Sequence, residues 1–252
     1  MSGLNSMSDP FSLNDKTILV TGASSGIGQA VAIAAARAGA SVILTARDQG
    51  RLAQTLAMLE RAGAARHRVV VAELRDAAQV AALVDQCGEI DGVVHSAGAT
   101  GLAPVRMLQR PMLDAVFEVN FTAPVMLTQR LLFKKRLRRG ASLVYLSSIA
   151  AHTGTVGVGP YAASKAALEG FVRCLALEVA AREMRANTLS PAMVETPMST
   201  TDKEFLAAKS SHYPLGLGQP EDVANAAVFL LADASRKVTG TTIDLDGGLT
   251  WT

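Results

Sequence analysis

The sequence predicts an α/β fold: one doubly wound parallel sheet of about seven strands, with helices on both faces. Short β-branched runs alternate with longer Ala/Leu-rich stretches along the chain. Most of those runs are apolar nearly throughout, which a sheet covered on both faces requires. Hydrophobic residues make up 49% and charged residues 18% of the 252 positions, below the ~25% charged typical of soluble chains. That balance implies extensive burial in a single core, extended by assembly into an oligomer.

Thr17–Thr21 (TILVT) is the first strand, leading through a glycine-rich turn into a helix at 26–38. Ser41–Thr45 precedes a helix near 50–62, and Arg68–Ala72 one near 76–87. Gly92–His95 leads to a long helical stretch at 112–138, and Ser142–Leu146 to another at 161–182. Arg185–Leu189, a helix near 220–232 and Thr241–Leu245 complete the alternation. Repeated strand–helix steps imply right-handed crossovers. Residues 1–14 read as a flexible polar tail and 15–252 as one domain. Residues 192–218 break the rhythm with a long insert after a strand's carboxyl end, where ligands bind in such sheets, and are assigned as a substrate lid.

The net charge of +2 argues against nucleic acid and membrane surfaces as partners. Cys87 and Cys174 form neither a disulfide framework nor a metal spacing, so no metal is expected. No stretch approaches the ~18 apolar residues of a membrane span, and no secretory leader is visible at the N-terminus. A cytoplasmic setting is therefore expected.

Two motifs carry chemistry. Thr21-Gly22-Ala23-Ser24-Ser25-Gly26-Ile27-Gly28 joins the first strand to an Ala-rich helix. Glycines there allow a tight turn and let backbone N–H groups approach a pyrophosphate at the helix N-terminus, which points to a dinucleotide site. Tyr161 and Lys165, four residues apart, share one face if their segment is helical, and Ser148 lies thirteen residues upstream.

With these motifs in order, roughly residues 13–250 resemble the short-chain dehydrogenase/reductase family in its short single-domain, Rossmann-like branch. Ala97-Gly98, Asn120, Ser190-Pro191 and Asp246-Gly247-Gly248 also fit that pattern. The resemblance implies a catalytic set of Asn120, Ser148, Tyr161 and Lys165. Tyr161 would exchange a proton with the carbonyl or alcohol oxygen while Ser148 holds that oxygen. Lys165 would hold the nicotinamide ribose and lower the Tyr pKa, with Asn120 positioning it through a water. The implied cofactor contacts are Gly22, Ser24, Ser25, Gly26, Ile27, Gly28, Arg47, Glu73, Leu74, Ala97, Gly98, Tyr161, Lys165, Pro191, Val194 and Thr196. Ala46 stands where NAD-dependent relatives carry Asp, and Arg47 follows it. An Arg there suits a 2′-phosphate, so NADPH/NADP is expected in preference to NAD.

The expected function is NADPH-dependent reduction of a ketone to an alcohol, on a small-molecule carbonyl substrate. The alternative is 3-oxoacyl-(acyl-carrier-protein) reduction, for which Lys134–Arg139 would form a docking patch at a helix end. A non-catalytic nucleotide-binding sensor or scaffold is a remoter alternative, disfavoured by the complete catalytic set. Relatives assemble through two long helices, here 112–138 and 161–182, so a homotetramer or dimer is expected. Val125, Leu127, Leu131 and Leu132 are candidate interface residues, and burial within the subunit explains them equally. His95 and Tyr145 are expected in the core, and Ser147 against local backbone.

Overall fold

The computed structural model describes residues 9–61, 66–197 and 213–249. In chain order its main elements are β1 (Thr17–Thr21), α1 (Gly26–Arg37), β2 (Ser41–Thr45), α2 (Gln49–Glu60), β3 (Arg68–Val69), α3 (Ala77–Cys87) and β4 (Ile90–His95). Then come α4 (Arg110–Phe117), α5 (Ala123–Phe133), β5 (Leu137–Leu146), α6 (Gly159–Val179), β6 (Arg185–Pro191), α7 (Pro220–Leu231) and β7 (Thr242–Leu245). The seven strands form one sheet in the order β3-β2-β1-β4-β5-β6-β7, with every pairing parallel. The chain leaves β1 toward β2 on one side and returns to β4 on the other. That reversal opens a crevice at the carboxyl ends of β1 and β4.

Strand alternation sorts the core into two layers. Ile18, Val20, Val42 and Leu44 face α1, α2 and α7, while Leu19 and Ile43 face α3, α5 and α6. Both layers are buried, which explains why the strand runs are apolar at every position rather than at alternate ones. Helix starts follow from single side chains. Asp48 accepts from the Arg51 N–H at the start of α2, and Asp76 from the Ala78 and Gln79 N–H groups at the start of α3.

Three expectations change. The helical stretch expected at 112–138 is two helices, α4 and α5, joined by a π turn at Glu118–Thr122, and it stops at Phe133. Lys135 takes a left-handed φ of 53°, and β5 starts at Leu137, five residues before the expected strand. The basic run Lys134–Arg139 therefore crosses a turn into a strand rather than capping a helix. Leu127 and Leu131 are fully buried in the core, so they are not interface residues; the exposed apolar side chains of α5 are Met126 and Phe133. Of the 192–218 segment, residues 198–212, His212 among them, lie outside the described residues. The two ends of that segment are tied together: Gly218 N–H donates to Met193 C=O at 3.0 Å, and Glu195 N–H donates to Gly218 C=O at 2.9 Å.

His95 and Tyr145 are core residues. Their rings stack at 4.5 Å between centroids, and both reach the Thr128 hydroxyl, His95 through Nε2 at 3.0 Å and Tyr145 at 2.6 Å. Burial pushes the His95 pKa down to about 3, from an ordinary value near 6.5. The folded chain holds this imidazole neutral while the unfolded chain protonates it, so stability falls as pH drops below ~6.5 toward 3. By pH 5 the His95 contribution amounts to about 2 kcal/mol. Urea midpoints measured between pH 7 and 5 should fall by less in His95→Asn than in the parent chain.

Candidate active site

The site is assembled on strand ends. Past β1, Gly22 (φ +67°) packs so closely that a Cβ would lie 2.9 Å from the Ala97 backbone, and a Cβ on Gly28 would lie 2.3 Å from Gly22 O. Only glycine allows both approaches. The Thr21 hydroxyl crosses the crevice between β1 and β4, accepting from the Ser96 and Ala97 N–H groups at 3.1 and 3.2 Å. Ser25, at the N-cap of α1, makes no side-chain cap bond, unlike Asp48 and Asp76 on the neighbouring helices. The first-turn N–H groups of α1 therefore stand at the crevice with no carboxylate across them, as an anion site needs.

One cleft of about 1230 Å³ runs across these strand ends. Its lining includes Gly22, Ser24, Ser25, Gly26, Ile27, Gly28, Arg47, Glu73, Leu74, Ala97 and Gly98 toward β1–β3, and Ser148, Tyr161, Lys165, Pro191, Val194 and Thr196 toward β5 and β6. Every catalytic or cofactor-binding residue expected from the sequence lies on this cleft except Asn120, which is buried behind it in the π turn. π turns concentrate at functional positions because the extra residue re-aims a side chain. Asn120 Oδ1 accepts from Ala99 N–H at 2.8 Å, and its Nδ2 donates to Ala99 C=O at 2.9 Å and to the Ser164 hydroxyl at 3.0 Å. Its side chain thus ties the loop after β4 to α6 between Tyr161 and Lys165.

Tyr161 and Lys165 do share one face of α6, with the Lys165 Nζ 5.7 Å from the Tyr161 ring centroid. Lys165 is buried and donates to the Leu146 carbonyl at 2.6 Å. Burial brings its pKa down to about 8, against an ordinary 10.5. Burial also raises the Tyr161 pKa, and a hydrogen bond from Ser148 offsets this only in part. Lys165 was expected to lower the Tyr pKa; in the folded chain desolvation of the phenol outweighs any such effect. A neutral phenol is a proton donor, and the Ser148 hydroxyl stands within hydrogen-bond reach of it.

At the other end, Glu73 depends on its arginines. Arg75 Nη2 bonds its carboxylate at 2.8 Å, Arg47 reaches it at 3.6 Å, and the Arg75 bond leads in holding its pKa below the usual range. Arg75 was not singled out from the sequence; an arginine two residues past the acid was the available signal. A second group was also missed. Ser147, expected on local backbone, instead donates its hydroxyl to the buried Glu169 carboxylate at 2.5 Å, which also accepts from His152 Nε2 at 2.8 Å.

The proposed docking patch is largely consumed within the chain. Arg136 reaches Asp85 at 3.7 Å, Arg138 pairs with Asp91 at 3.0 Å, and Arg139 pairs with Glu183 at 2.6 Å. Among the described residues no cluster of His, Cys, Asp and Glu could hold a metal ion, and no helix is long and apolar enough to cross a membrane.

A family model described as "Enoyl-(Acyl carrier protein) reductase" matches residues 22–250. The chain is 33% identical to a 2-(S)-hydroxypropyl-CoM dehydrogenase of Xanthobacter autotrophicus, over 94% of this chain and 98% of the relative. It is 36% identical to a 3-oxoacyl-(acyl-carrier-protein) reductase of Thermotoga maritima, again over 94% and 98%. Among solved structures, a gluconate 5-dehydrogenase from Burkholderia cenocepacia in complex with NADP and tartrate superposes with a TM-score of 0.88. It is 29% identical and is matched over 97% of this chain and 98% of that one.

Proposed function

The chain belongs to the short-chain dehydrogenase/reductase family of oxidoreductases, and from that premise we propose that it uses NADPH to reduce a neutral ketone to an alcohol. One observation supports this above the others. A buried lysine, a protonated tyrosine and a serine stand together at one end of a cleft whose other end carries a glycine turn and Arg47.

The first-turn N–H groups of α1, with Gly22 and Gly28 clearing the approach, would hold the pyrophosphate. Arg47, with Arg75 beside it, would take the 2′-phosphate, and Glu73, Leu74, Ala97 and Gly98 would flank the adenosine. Pro191, Val194 and Thr196 would border the nicotinamide. Bound nicotinamide supplies the hydride. Tyr161 gives its phenolic proton to the carbonyl oxygen, and Ser148 donates a hydrogen bond to that oxygen. The Lys165 ammonium stabilises the phenolate left behind until solvent reprotonates it. An ionised phenol at pH 7 would need a shift of ~3 units, about 4 kcal/mol, from the ordinary value near 10. Burial moves Tyr161 the opposite way, which keeps it protonated at pH 7, the form in which reduction uses it. Asn120 would keep the loop after β4 against α6.

The wall around Tyr161 bears on the substrate. Leu102, Met112, Val158 and Met193 are among the apolar residues of the cleft that holds it, while the cleft's arginines, Arg47, Arg51 and Arg75, follow β2 and β3. A ketone with apolar substituents suits that wall. Carrier-bound 3-oxoacyl reduction is the second reading, favoured by the relatives. Pairing of Arg136, Arg138 and Arg139 within the chain weighs against a docking patch there and ranks this reading second. Met126, Phe133 and Leu177 stand exposed on α5 and α6; we infer that they meet another copy in a homo-oligomer, a dimer or tetramer, in a cytoplasmic setting.

A screen of NADPH oxidation with alkyl and cyclic ketones, quinones, ketosugars and free or carrier-bound 3-oxoacyl thioesters tests the reading. Neutral ketones should lead, and consumption of none would overturn it. Tyr161→Phe should cut kcat by about 10²–10⁴-fold with NADPH affinity nearly unchanged, whereas a binding scaffold would show no turnover to lose. Arg47→Asp should lower kcat/KM for NADPH by roughly 10–100-fold, the scale of a lost charge-assisted bond, and spare NADH. In the pH profile of kcat/KM for reduction, rates should decline above about pH 8 as Lys165 loses its proton.

A further inference from the structure

Tyr161, Lys165 and Glu169 follow one another at four-residue steps, so the helix face that presents the phenol and the ammonium continues into a carboxylate. Glu169 is 6% exposed, and a carboxylate persists at such a depth only when donors surround it. It has two. Ser147 Oγ donates to Oε1 at 2.5 Å, and His152 Nε2 donates to Oε2 at 2.8 Å. The other ring nitrogen of His152 lies 3.5 Å from Asp244 on β7. The Ser147 hydroxyl also lies 3.4 Å from the Lys165 carbonyl.

The two donors flank Ser148. Ser147 precedes it, and His152 ends the 3₁₀ turn Ile149–Ala151 that Ser148 caps through the Ala150 N–H at 3.2 Å. We propose that Glu169 is a positioning residue: by gripping both ends of segment 147–152 it fixes Ser148 on β5's exit against Tyr161 on α6. Without that grip the segment keeps the Ser147 N–H bond to Leu189 C=O at its start and only the longer His152–Asp244 contact of 3.5 Å at its far end. This inference rests on the reading that Ser148 holds the substrate oxygen. The carboxylate touches neither substrate nor cofactor, so its loss should lower kcat while leaving cofactor binding alone.

The experiment measures kcat, KM for a ketone found in the screen, and NADPH affinity by fluorescence, in Ser148→Ala, Ser147→Ala, Glu169→Ala and Glu169→Gln. A displacement on the order of 1 Å costs about 10²-fold. Glu169→Ala should therefore lose about 10²-fold in kcat with NADPH affinity within about twofold. Glu169→Gln should recover most of that loss, because an amide still accepts from Ser147 and His152 can change tautomer to meet it. Ser147→Ala removes one hydroxyl and one of the two grips, and should cost about tenfold even if Glu169→Ala does not fold. Wild-type kcat in Ser147→Ala or Glu169→Ala, while Ser148→Ala is impaired, overturns the inference alone. Parallel losses of kcat and NADPH affinity in Glu169→Ala without recovery in Glu169→Gln overturn it too, since they mark plain core disruption. Wild-type kcat in Ser148→Ala overturns the underlying reading and the inference with it.

Discussion

The structure hangs on one buried contact, the Lys165 ammonium donating to the Leu146 carbonyl at 2.6 Å. A desolvated cation is tolerated only where the backbone supplies an acceptor, and the end of β5 supplies it. The contact helps to set the roll of α6 relative to the sheet, together with the face of Leu168, Val172, Leu175 and Val179 buried against it. Everything else on that helix inherits its direction from this roll: Tyr161 faces the cleft, Ser164 meets Asn120, and Glu169 meets the segment after β5. On the proposed reading, the cation that serves the chemistry thus also helps to orient it, beside the Asn120–Ser164 bond and the buried apolar face of α6.

That economy is matched on the opposite side of the crevice. The Thr21 hydroxyl binds two consecutive N–H groups beyond β4, and glycine at 22 and 28 lets strand, loop and helix approach within contact distance. Polar groups do the joining and small residues do the spacing. The two halves of the cleft are therefore set by backbone geometry rather than by loop conformation, which is what a hydride transfer between fixed partners demands.

Much of this could be read from residue order alone. Doubly apolar strands such as TILVT and SVILT announce a sheet covered on both faces, and the glycine spacing, Ser148, Tyr161 and Lys165 are recognisable as a set. What escaped depends on distance rather than order. Helix 112–138 was overextended because Lys134–Arg139 carries helix-compatible residues, whereas tertiary pairing of Leu137 with Ile90 pulls the chain into β5. The π turn at Asn120 has no composition signature. Glu169 had the right spacing but no visible partner, since Ser147 lies 22 positions away. Leu127 and Leu131 looked equally fit for a core or an interface, and only the position of β5 decides between them.

The arrangement at Glu73 has a consequence for how the two dinucleotides are told apart. The carboxylate lies 3.6 Å from Arg47 and 2.8 Å from Arg75, so the guanidinium proposed to meet a phosphate already has an internal anion. Binding of a 2′-phosphate is then an exchange of counter-ions rather than the capture of a bare charge. Arg47 is 74% exposed, and the Debye length at physiological salt is about 8 Å. Added salt weakens the incoming pair and the outgoing one together. If Arg47 takes the phosphate as proposed, cofactor preference is the difference between two screened interactions, and it should vary with ionic strength less steeply than the single arginine–phosphate contact would suggest.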